Sequence, residues 1–164
     1  MSPKRFFSAL LFAMAAAVAV SPALAQDTDP ALKISGTIAG KPGSVTYKRS
    51  DLEKMGLVSI KTSTPWNEGV VNFEGVPMKQ LLATAGVAGP MATAIALNDY
   101  SSEVPTADFD QYNVILAVKR DGKYMPVDDQ GPFFIIYPYD SDPVLQNQPY
   151  YGRSVWQVKA ISVE

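Results

Sequence analysis

The sequence predicts a strand-rich α+β domain with a single mixed sheet and short helices. Three observations lead to this prediction. Apolar and polar residues alternate with a period of two in several short segments, which is typical of strands with one buried face. Glycine, proline and an Asp-Gly pair separate these segments at short intervals. Two segments, near Ser50 and Pro77, carry the start and stop signals of short helices.

The N-terminal residues 1–25 are predicted to be a signal peptide. Lys4 and Arg5 precede an apolar run at residues 6–20, and Ala23-Leu24-Ala25 is a small-x-small cleavage site. The run is too short for a comfortable membrane span. Because the basic pair is Lys-Arg, the general secretory route is favoured over the twin-arginine route. We expect cleavage after Ala25, a periplasmic or secreted protein, and no membrane insertion after cleavage.

Composition restricts the chemistry of the remaining chain. Removal of residues 1–25 leaves 139 residues, with 12 basic against 16 acidic side chains and a net charge of about −4. The chain has no Cys and no His, which excludes disulfides, thiolate nucleophiles and imidazole ligands. A mildly acidic chain without a basic cluster argues against nucleic acid as a partner. Residues 26–31 are predicted to be a polar lead, and residues 32–164 one domain.

In the first half of the domain, turn and capping signals delimit the elements. Alternation predicts the strands, a capping box predicts the start of the first helix, and glycine ends each helix. The predicted elements are a strand at residues 32–38, a turn at 40–43, a strand at 45–47, a helix from Ser50 to Gly56, strands at 57–62 and 70–73, and a helix from Pro77 to Gly86.

The second half is predicted to be richer in strands. Asp121-Gly122 is a strong hairpin signal. The run at residues 133–137 is the most apolar of the domain and is therefore placed at the sheet centre. Residues 146–151 are predicted to be a loop. The predicted elements are strands at 93–97 and 101–104, a helical turn at 106–109, a strand at 114–118, the central strand at 133–137 and a last strand at 154–163.

Two acidic clusters invite a metal interpretation. They are Asp128 with Asp129, and Asp140 with Asp142. Turn chemistry alone selects Asp at such positions, so solvated turn residues are the favoured interpretation. A weak Ca²⁺ site is the alternative, although the spacing does not match a calcium loop. We predict no metal site.

Aromatic side chains form a second group of candidates. Tyrosine and tryptophan rings are common where an apolar surface meets a polar ligand, although packing beneath a long loop produces the same pattern. The adjacent Tyr150 and Tyr151 are candidates for contact with a partner protein. Arg153 is suited to carboxylate or phosphate capture, and a salt bridge to Asp140 or Asp142 is the alternative. The group comprises Trp66, Tyr100, Tyr137, Tyr139, Tyr150, Tyr151 and Trp156.

Several short segments follow one another in a characteristic order. They are Phe73-Glu74-Gly75-Val76-Pro77, Leu81-Leu82 with Gly86, Asn98-Asp99-Tyr100-Ser101, Ile115-Leu116-Ala117, Asp121-Gly122, Gly131-Pro132, Pro138 and Arg153-Ser154-Val155-Trp156. This order resembles the molybdopterin-binding domain of the sulfite-oxidase-type oxidoreductases. The resemblance covers residues 32–164 and implies a mixed α+β fold that, in the enzymes, holds a molybdenum-pyranopterin for two-electron transfers.

The sequence departs from this family at chemically important positions. Where the resemblance implies a molybdenum-binding Cys, the chain has residues 62–66, Thr-Ser-Thr-Pro-Trp. An alcohol does not replace a thiolate on a soft metal. Phe134 stands where the enzymes tend to carry Arg, and Trp156 where they carry Lys. Arg153 and the Asp99-Tyr100 pair keep their places.

These observations predict a non-catalytic module with one binding pocket. The pocket residues are Trp66, Asp99, Tyr100, Tyr139, Arg153 and Trp156. The expected ligand is a small anionic or aromatic molecule, or a loop of a periplasmic or membrane signalling protein. Two alternatives stay open: a molybdopterin-dependent oxidoreductase without the Cys ligand, and a structural protein-interaction domain.

Overall fold

The computed structural model describes residues 29–164, so the predicted signal peptide and positions 26–28 lie outside the described residues. The elements, in chain order, are β1 Ala31–Ile38, β2 Lys41–Lys48, α1 Arg49–Lys54, β3 Val58–Thr64, β4 Asn67–Pro77, α2 Met78–Ala85, β5 Met91–Ala96, β6 Ser101–Pro105, α3 Ala107–Gln111, β7 Ile115–Arg120, β8 Lys123–Tyr124, β9 Phe134–Ile136, 3₁₀ turns at Tyr139–Ser141 and Pro143–Leu145, α4 Gln148–Arg153 and β10 Val158–Val163.

The strand-rich α+β class is confirmed, but the strands form two sheets instead of the predicted one. The first sheet has the order β2-β1-β10-β5-β6 and is mixed, because β1 and β10 are parallel. The second has the order β3-β4-β7, and both β8 and β9 pair with β7. All pairings in this second sheet are antiparallel.

The main core lies between the two sheets and is closed by α2. Leu32 and Ile161 enter it from the first sheet, and Val76 and Leu116 from the second. A smaller cluster, which includes Phe73 and Phe134, lies on the other face of the second sheet. The part of the second sheet formed by β9 and residues 115–118 of β7 is therefore buried on both faces, which explains the unbroken apolar runs of these two strands.

The placement of residues 133–137 at the sheet centre is wrong. Within the sheet, β9 pairs with β7 alone, and it is only three residues long. Its other edge is satisfied by hydrogen bonds from the Ile135 N–H to the Val155 carbonyl, 3.0 Å, and from the Val158 N–H to the Phe133 carbonyl, 3.0 Å. An unbroken apolar run indicates that both faces of a strand are buried. A strand at the edge of a sheet can also be buried on both faces, so the run does not require a central position in the order of strands.

Several local boundaries also differ from the prediction. The first hairpin turns at Ala39 and Gly40, both with positive φ, instead of at residues 40–43. Pro42 is accommodated because β2 is an edge strand. The first helix begins at Arg49, one residue before the predicted N-cap, where the Asp51 carboxylate accepts the Lys48 N–H at 3.1 Å. The second helix ends as predicted, with Gly86 in the left-handed conformation.

The segment at residues 146–151, predicted to be a loop, contains most of the helix α4. A further helix, α3, lies where only a helical turn was predicted at residues 106–109, so four short α-helices are present among the described residues instead of two. The last strand is correspondingly shorter than predicted and begins at Val158. Within residues 29–164 no helix has the length and apolar character needed to cross a membrane.

Candidate functional site

A groove of about 380 Å³ opens between α4, the turn between β3 and β4, and the turn between β5 and β6. Four aromatic side chains line it, and we call it the aromatic groove. Its lining residues are Trp66, Ala96, Asn98, Tyr100, Gln148, Tyr151, Gly152, Ser154, Val155 and Trp156. None of these lining side chains is charged. The volume lies in the range of pockets that hold small molecules.

Trp66 is the central ring of the groove. It follows Pro65 in the turn between β3 and β4, where the Thr64 hydroxyl accepts the backbone N–H of Trp66 at 3.3 Å and that of Asn67 at 3.1 Å. Its ring centroid lies 5.5 Å from that of Trp156, 5.6 Å from Phe134 and 6.0 Å from Tyr151. A threonine-stabilised turn thus presents one tryptophan to rings from three other segments.

Tyr151 and Trp156 come from the C-terminal part of the chain. Tyr151 lies on α4, and Trp156 lies in the segment that joins α4 to β10. Trp156 is 38% exposed, and Tyr100, which directly precedes β6, is 53% exposed. The Tyr100 hydroxyl approaches the Gly152 carbonyl at 3.5 Å, so the segment before β6 contacts α4 at the groove.

Tyr139 lies below the groove and not in its lining. It is 1% exposed, and its hydroxyl is hydrogen-bonded to the Ser154 hydroxyl. Burial raises the pKa of the Tyr139 phenol. Its ring contacts both Trp66 and Tyr151. Tyr139 therefore supports the groove from beneath.

Arg153 and Asp99 lie outside the groove lining. The Arg153 guanidinium donates to the Asp108 carboxylate at 2.9 Å, so the salt bridge forms with neither Asp140 nor Asp142. Asp99 has a positive φ, and its exposed carboxylate pairs with the Lys159 ammonium. The hydrogen bond from Lys159 lowers the pKa of Asp99. Both charges are engaged with other parts of the domain.

The two candidates for partner contact have different positions. Tyr151 lines the groove, whereas Tyr150 lies outside the lining, and its hydroxyl is 3.1 Å from that of Tyr112 at the C-terminal end of α3. This hydrogen bond raises the pKa of Tyr112 to about 12. The Arg153 guanidinium lies 5.1 Å from the centre of the Tyr150 ring. Tyr150 therefore helps to anchor α4.

Six lining residues were not among the predicted site residues, and two of them carry side-chain amides. Asn98 and Gln148 supply amide groups to the lining. Asn98 belongs to an Asn-Asp turn signal, which indicates a turn and nothing about a ligand. Gln148 carries no sequence signal, because its role depends on a helix that the local sequence does not predict.

The acidic clusters are engaged in local structure. Asp129 pairs with Arg120, and Asp142 accepts the Val144 N–H at 3.0 Å. Asp140 accepts the backbone N–H of Ser63 at 2.7 Å, and its own N–H donates to the Thr62 hydroxyl at 3.1 Å. Within residues 29–164 no group of three or more acidic side chains is placed to hold a metal ion.

Comparison with known proteins bears on this arrangement. A family model described as the oxidoreductase molybdopterin-binding domain matches residues 38–139. The chain belongs to this family. Among curated proteins the comparison finds no match. The matched region contains Trp66, Tyr100 and Phe134, while Tyr151 and Trp156 follow its end.

Residues from each of the three places at which the chain departs from the family's implied cofactor ligands lie together in space. Trp66, Phe134 and Trp156 form one cluster, with ring centroids 5.5 to 6.0 Å apart. Phe134 is fully buried, and Thr62, at the start of the segment in place of the implied Cys, is also fully buried. Thr62 is held by its hydrogen bond with Asp140.

This cluster does not fit a molybdenum-pterin group. Such a group carries phosphate and needs cationic donors, whereas the residues present are neutral rings. A threonine hydroxyl is also a poor ligand for a metal site that calls for a soft thiolate. Each lost hydrogen bond to a charged group weakens anchoring by about 1.5 to 3 kcal/mol.

Proposed function

We propose that this member of the molybdopterin-binding domain family is a periplasmic, non-catalytic module that binds a ligand or a partner through the aromatic groove. One observation carries the proposal. Phe134 and Trp156, which stand where the family resemblance implies two cations, contact the ring of Trp66, which ends the segment 62–66 that stands in place of the implied Cys. Because aromatic rings stand where the resemblance implies cationic side chains, the site is better suited to contact the apolar surface of another molecule than to hold an anionic cofactor.

The groove has the general character of a binding site. It combines apolar rings with a small number of amide and hydroxyl groups, as ligand pockets in proteins commonly do. Trp156 and Tyr100 keep substantial exposed area, although large aromatic side chains are usually better buried. Exposed rings beside polar groups support contact with another molecule.

The first experiment measures molybdenum in protein purified from its native compartment by inductively coupled plasma mass spectrometry. We expect far less than one molybdenum atom per chain. A near-stoichiometric content would contradict the proposal and favour the alternative of a molybdopterin-dependent oxidoreductase. N-terminal sequencing of the same sample tests the location, because export predicts a mature chain that begins at Gln26.

A second experiment tests the groove itself. Thermal-shift screening with a panel of small molecules is compared between the wild-type protein and the Trp156→Ala variant. We expect at least one compound to raise the melting temperature of the wild type and to lose this effect in the variant. Tyr124→Ala is the matched control, since Tyr124 is 43% exposed and lies outside the groove. If Tyr124→Ala abolishes the shift equally, the groove is not the binding site.

A further inference from the structure

We propose that the aromatic groove binds an uncharged, planar ring ligand that carries a carbonyl or amide group, because its lining combines perpendicular rings with amides and no charge. This inference rests on the binding function proposed above and specifies the class of ligand. It narrows the expectation from the sequence, which named a small anionic or aromatic molecule, or a loop of a partner protein, as the ligand.

The charge distribution around the groove disfavours an anion. The lining side chains are all neutral. The two charged residues that the sequence placed in the pocket are engaged elsewhere, Arg153 with Asp108 and Asp99 with Lys159. An anion in the groove would lose hydration without gaining a paired cation, and burial of an unpaired charge is costly.

The rings define the shape of the ligand. The planes of Trp66 and Trp156 are inclined by 79°, with centroids 5.5 Å apart. Two nearly perpendicular rings form a corner in which a flat ligand stacks on one ring and presents its edge to the other. Both geometries are favourable for aromatic pairs. We therefore expect a planar ring system to make more favourable contacts with these two rings than a flexible chain does.

The amides define the polar group of the ligand. The Asn98 carbonyl accepts the Tyr100 N–H at 3.1 Å, which orients the side chain and leaves its NH₂ group as a donor. The Gln148 side-chain amide, on α4, is exposed and has no hydrogen bond to another side chain or to the backbone within residues 29–164. The NH₂ group of Asn98 and the amide of Gln148 can therefore form hydrogen bonds with a carbonyl or amide group on the ligand.

Two lining residues contact each other across the groove, which favours a small molecule over an extended peptide. The Tyr100 hydroxyl, just before β6, approaches the Gly152 carbonyl of α4 at 3.5 Å. A proline-rich peptide, the occupant expected of an open aromatic groove, needs a channel that continues across the surface. The volume of about 380 Å³ is instead that of a compact pocket.

The test uses the two tryptophans, which are the only ones in the chain and both line the groove. Their indole N–H signals in ¹H–¹⁵N spectra are assigned with Trp66→Phe and Trp156→Phe. The probes are naphthalene-2-carboxamide and naphthalene-2-carboxylate, which have the same ring system and differ in charge. We expect the amide to shift both signals saturably, and the carboxylate to bind at least about tenfold more weakly, equivalent to about 1.4 kcal/mol.

Two variants locate the contacts. Gln148→Leu removes the free amide and is expected to weaken binding of the carboxamide probe about fivefold or more, in line with the loss of one hydrogen bond. Tyr124→Ala, outside the groove, is expected to leave binding unchanged.

Each other outcome overturns the inference. Equal or tighter binding of the carboxylate would exclude the uncharged class, while the binding function would stand. Absence of any shift with either probe would overturn the ligand class, and the molybdenum content would then decide the proposed function separately. Tighter binding of a hexaproline peptide than of the carboxamide would assign the groove to a partner protein.

Discussion

The Arg153 guanidinium and the Asp108 carboxylate form an ion pair of 2.9 Å across 45 residues of sequence. The same carboxylate oxygen accepts the Tyr137 hydroxyl at 2.7 Å. Arg153 is the last residue of α4, and Asp108 lies on α3. The pair thus attaches the helix that forms one wall of the aromatic groove to the core of the domain.

The first prediction concerns this ion pair. Asp108→Asn leaves Arg153 without its counter-charge and is expected to lower the free energy of unfolding by about 2 kcal/mol. This is less than the roughly 3 to 5 kcal/mol of fully buried pairs, because the two side chains are 26% and 10% exposed. Urea denaturation followed by circular dichroism measures the loss.

The matched control is the exposed pair of Lys79 and Asp110, whose side chains are 72% and 60% exposed. Asp110→Asn is expected to change stability much less, since exposed pairs contribute little. Equal effects of Asp108→Asn and Asp110→Asn would contradict a structural role for the Arg153 pair.

The second prediction is a pH dependence that involves Tyr137. Burial, and then the hydrogen bond to Asp108, raise the pKa of this phenol above its usual value near 10. Above pH 10 the unfolded chain therefore releases a proton that the folded protein retains, so the Tyr137 contribution to stability is present below pH 10 and decreases above it. The decrease approaches about 1.4 kcal/mol per pH unit.

Tyr137→Phe tests this dependence. At pH 8 the variant is expected to be less stable by about 1.5 to 3 kcal/mol, because a hydrogen bond to a carboxylate is lost. As the pH rises from 10 towards 12 the difference from the wild type should shrink. Urea midpoints at several pH values measure it, and a constant difference over this range would refute the assignment.

The third prediction separates two positions of the ring cluster. Phe134→Arg places a charge at a fully buried site and is expected to cost more than about 4 kcal/mol, so that the domain unfolds. Trp156→Lys loses ring contacts at a side chain that is 38% exposed, and is expected to cost about 1 to 2 kcal/mol. Circular dichroism and thermal melting distinguish them. A stable Phe134→Arg variant would show that the cluster has room for a cation.

The fourth prediction compares two glycines, Gly75 in the second sheet and Gly152 in the lining of the groove. A Cβ at Gly75 would lie 2.2 Å from the Leu116 carbonyl oxygen and 2.6 Å from the Ala117 Cα, both backbone atoms of β7. Gly75→Ala is expected to destabilise by about 1 to 3 kcal/mol or more, because neither strand can yield easily. Thermal denaturation measures the change.

Gly152→Ala is the control for this pair. A Cβ at Gly152 meets no atom within 4 Å, and the residue lies in α4. The substitution is expected to stabilise the domain by about 0.5 to 1 kcal/mol through the helix preference of alanine. Destabilisation by Gly152→Ala as large as that of Gly75→Ala would contradict the close packing of β4 on β7.

Much of the fold was predictable because its signals are local. Alternation and turn residues predicted most strands, and the Asp121-Gly122 turn and the Gly86 helix end lie where expected. α4 was missed because its sequence contains Pro149 and Gly152 and has little helix preference of its own. α4 is held in place by the hydrogen bond between Tyr150 and Tyr112, at the C-terminal end of α3, and by the ion pair between Arg153 and Asp108 of α3.

The departures from the family pattern were visible in the sequence as three separate features, namely the segment 62–66, Phe134 and Trp156. That Trp66, Phe134 and Trp156 are one ring cluster depends on pairings between distant segments, which a linear pattern does not encode. The partners of charged side chains also depend on contacts between distant segments. Arg153 and Asp99 were selected as site residues by type, but their partners come from α3 and β10. Local chemistry selects residue types, whereas the packing of the chain decides which of them face the same groove.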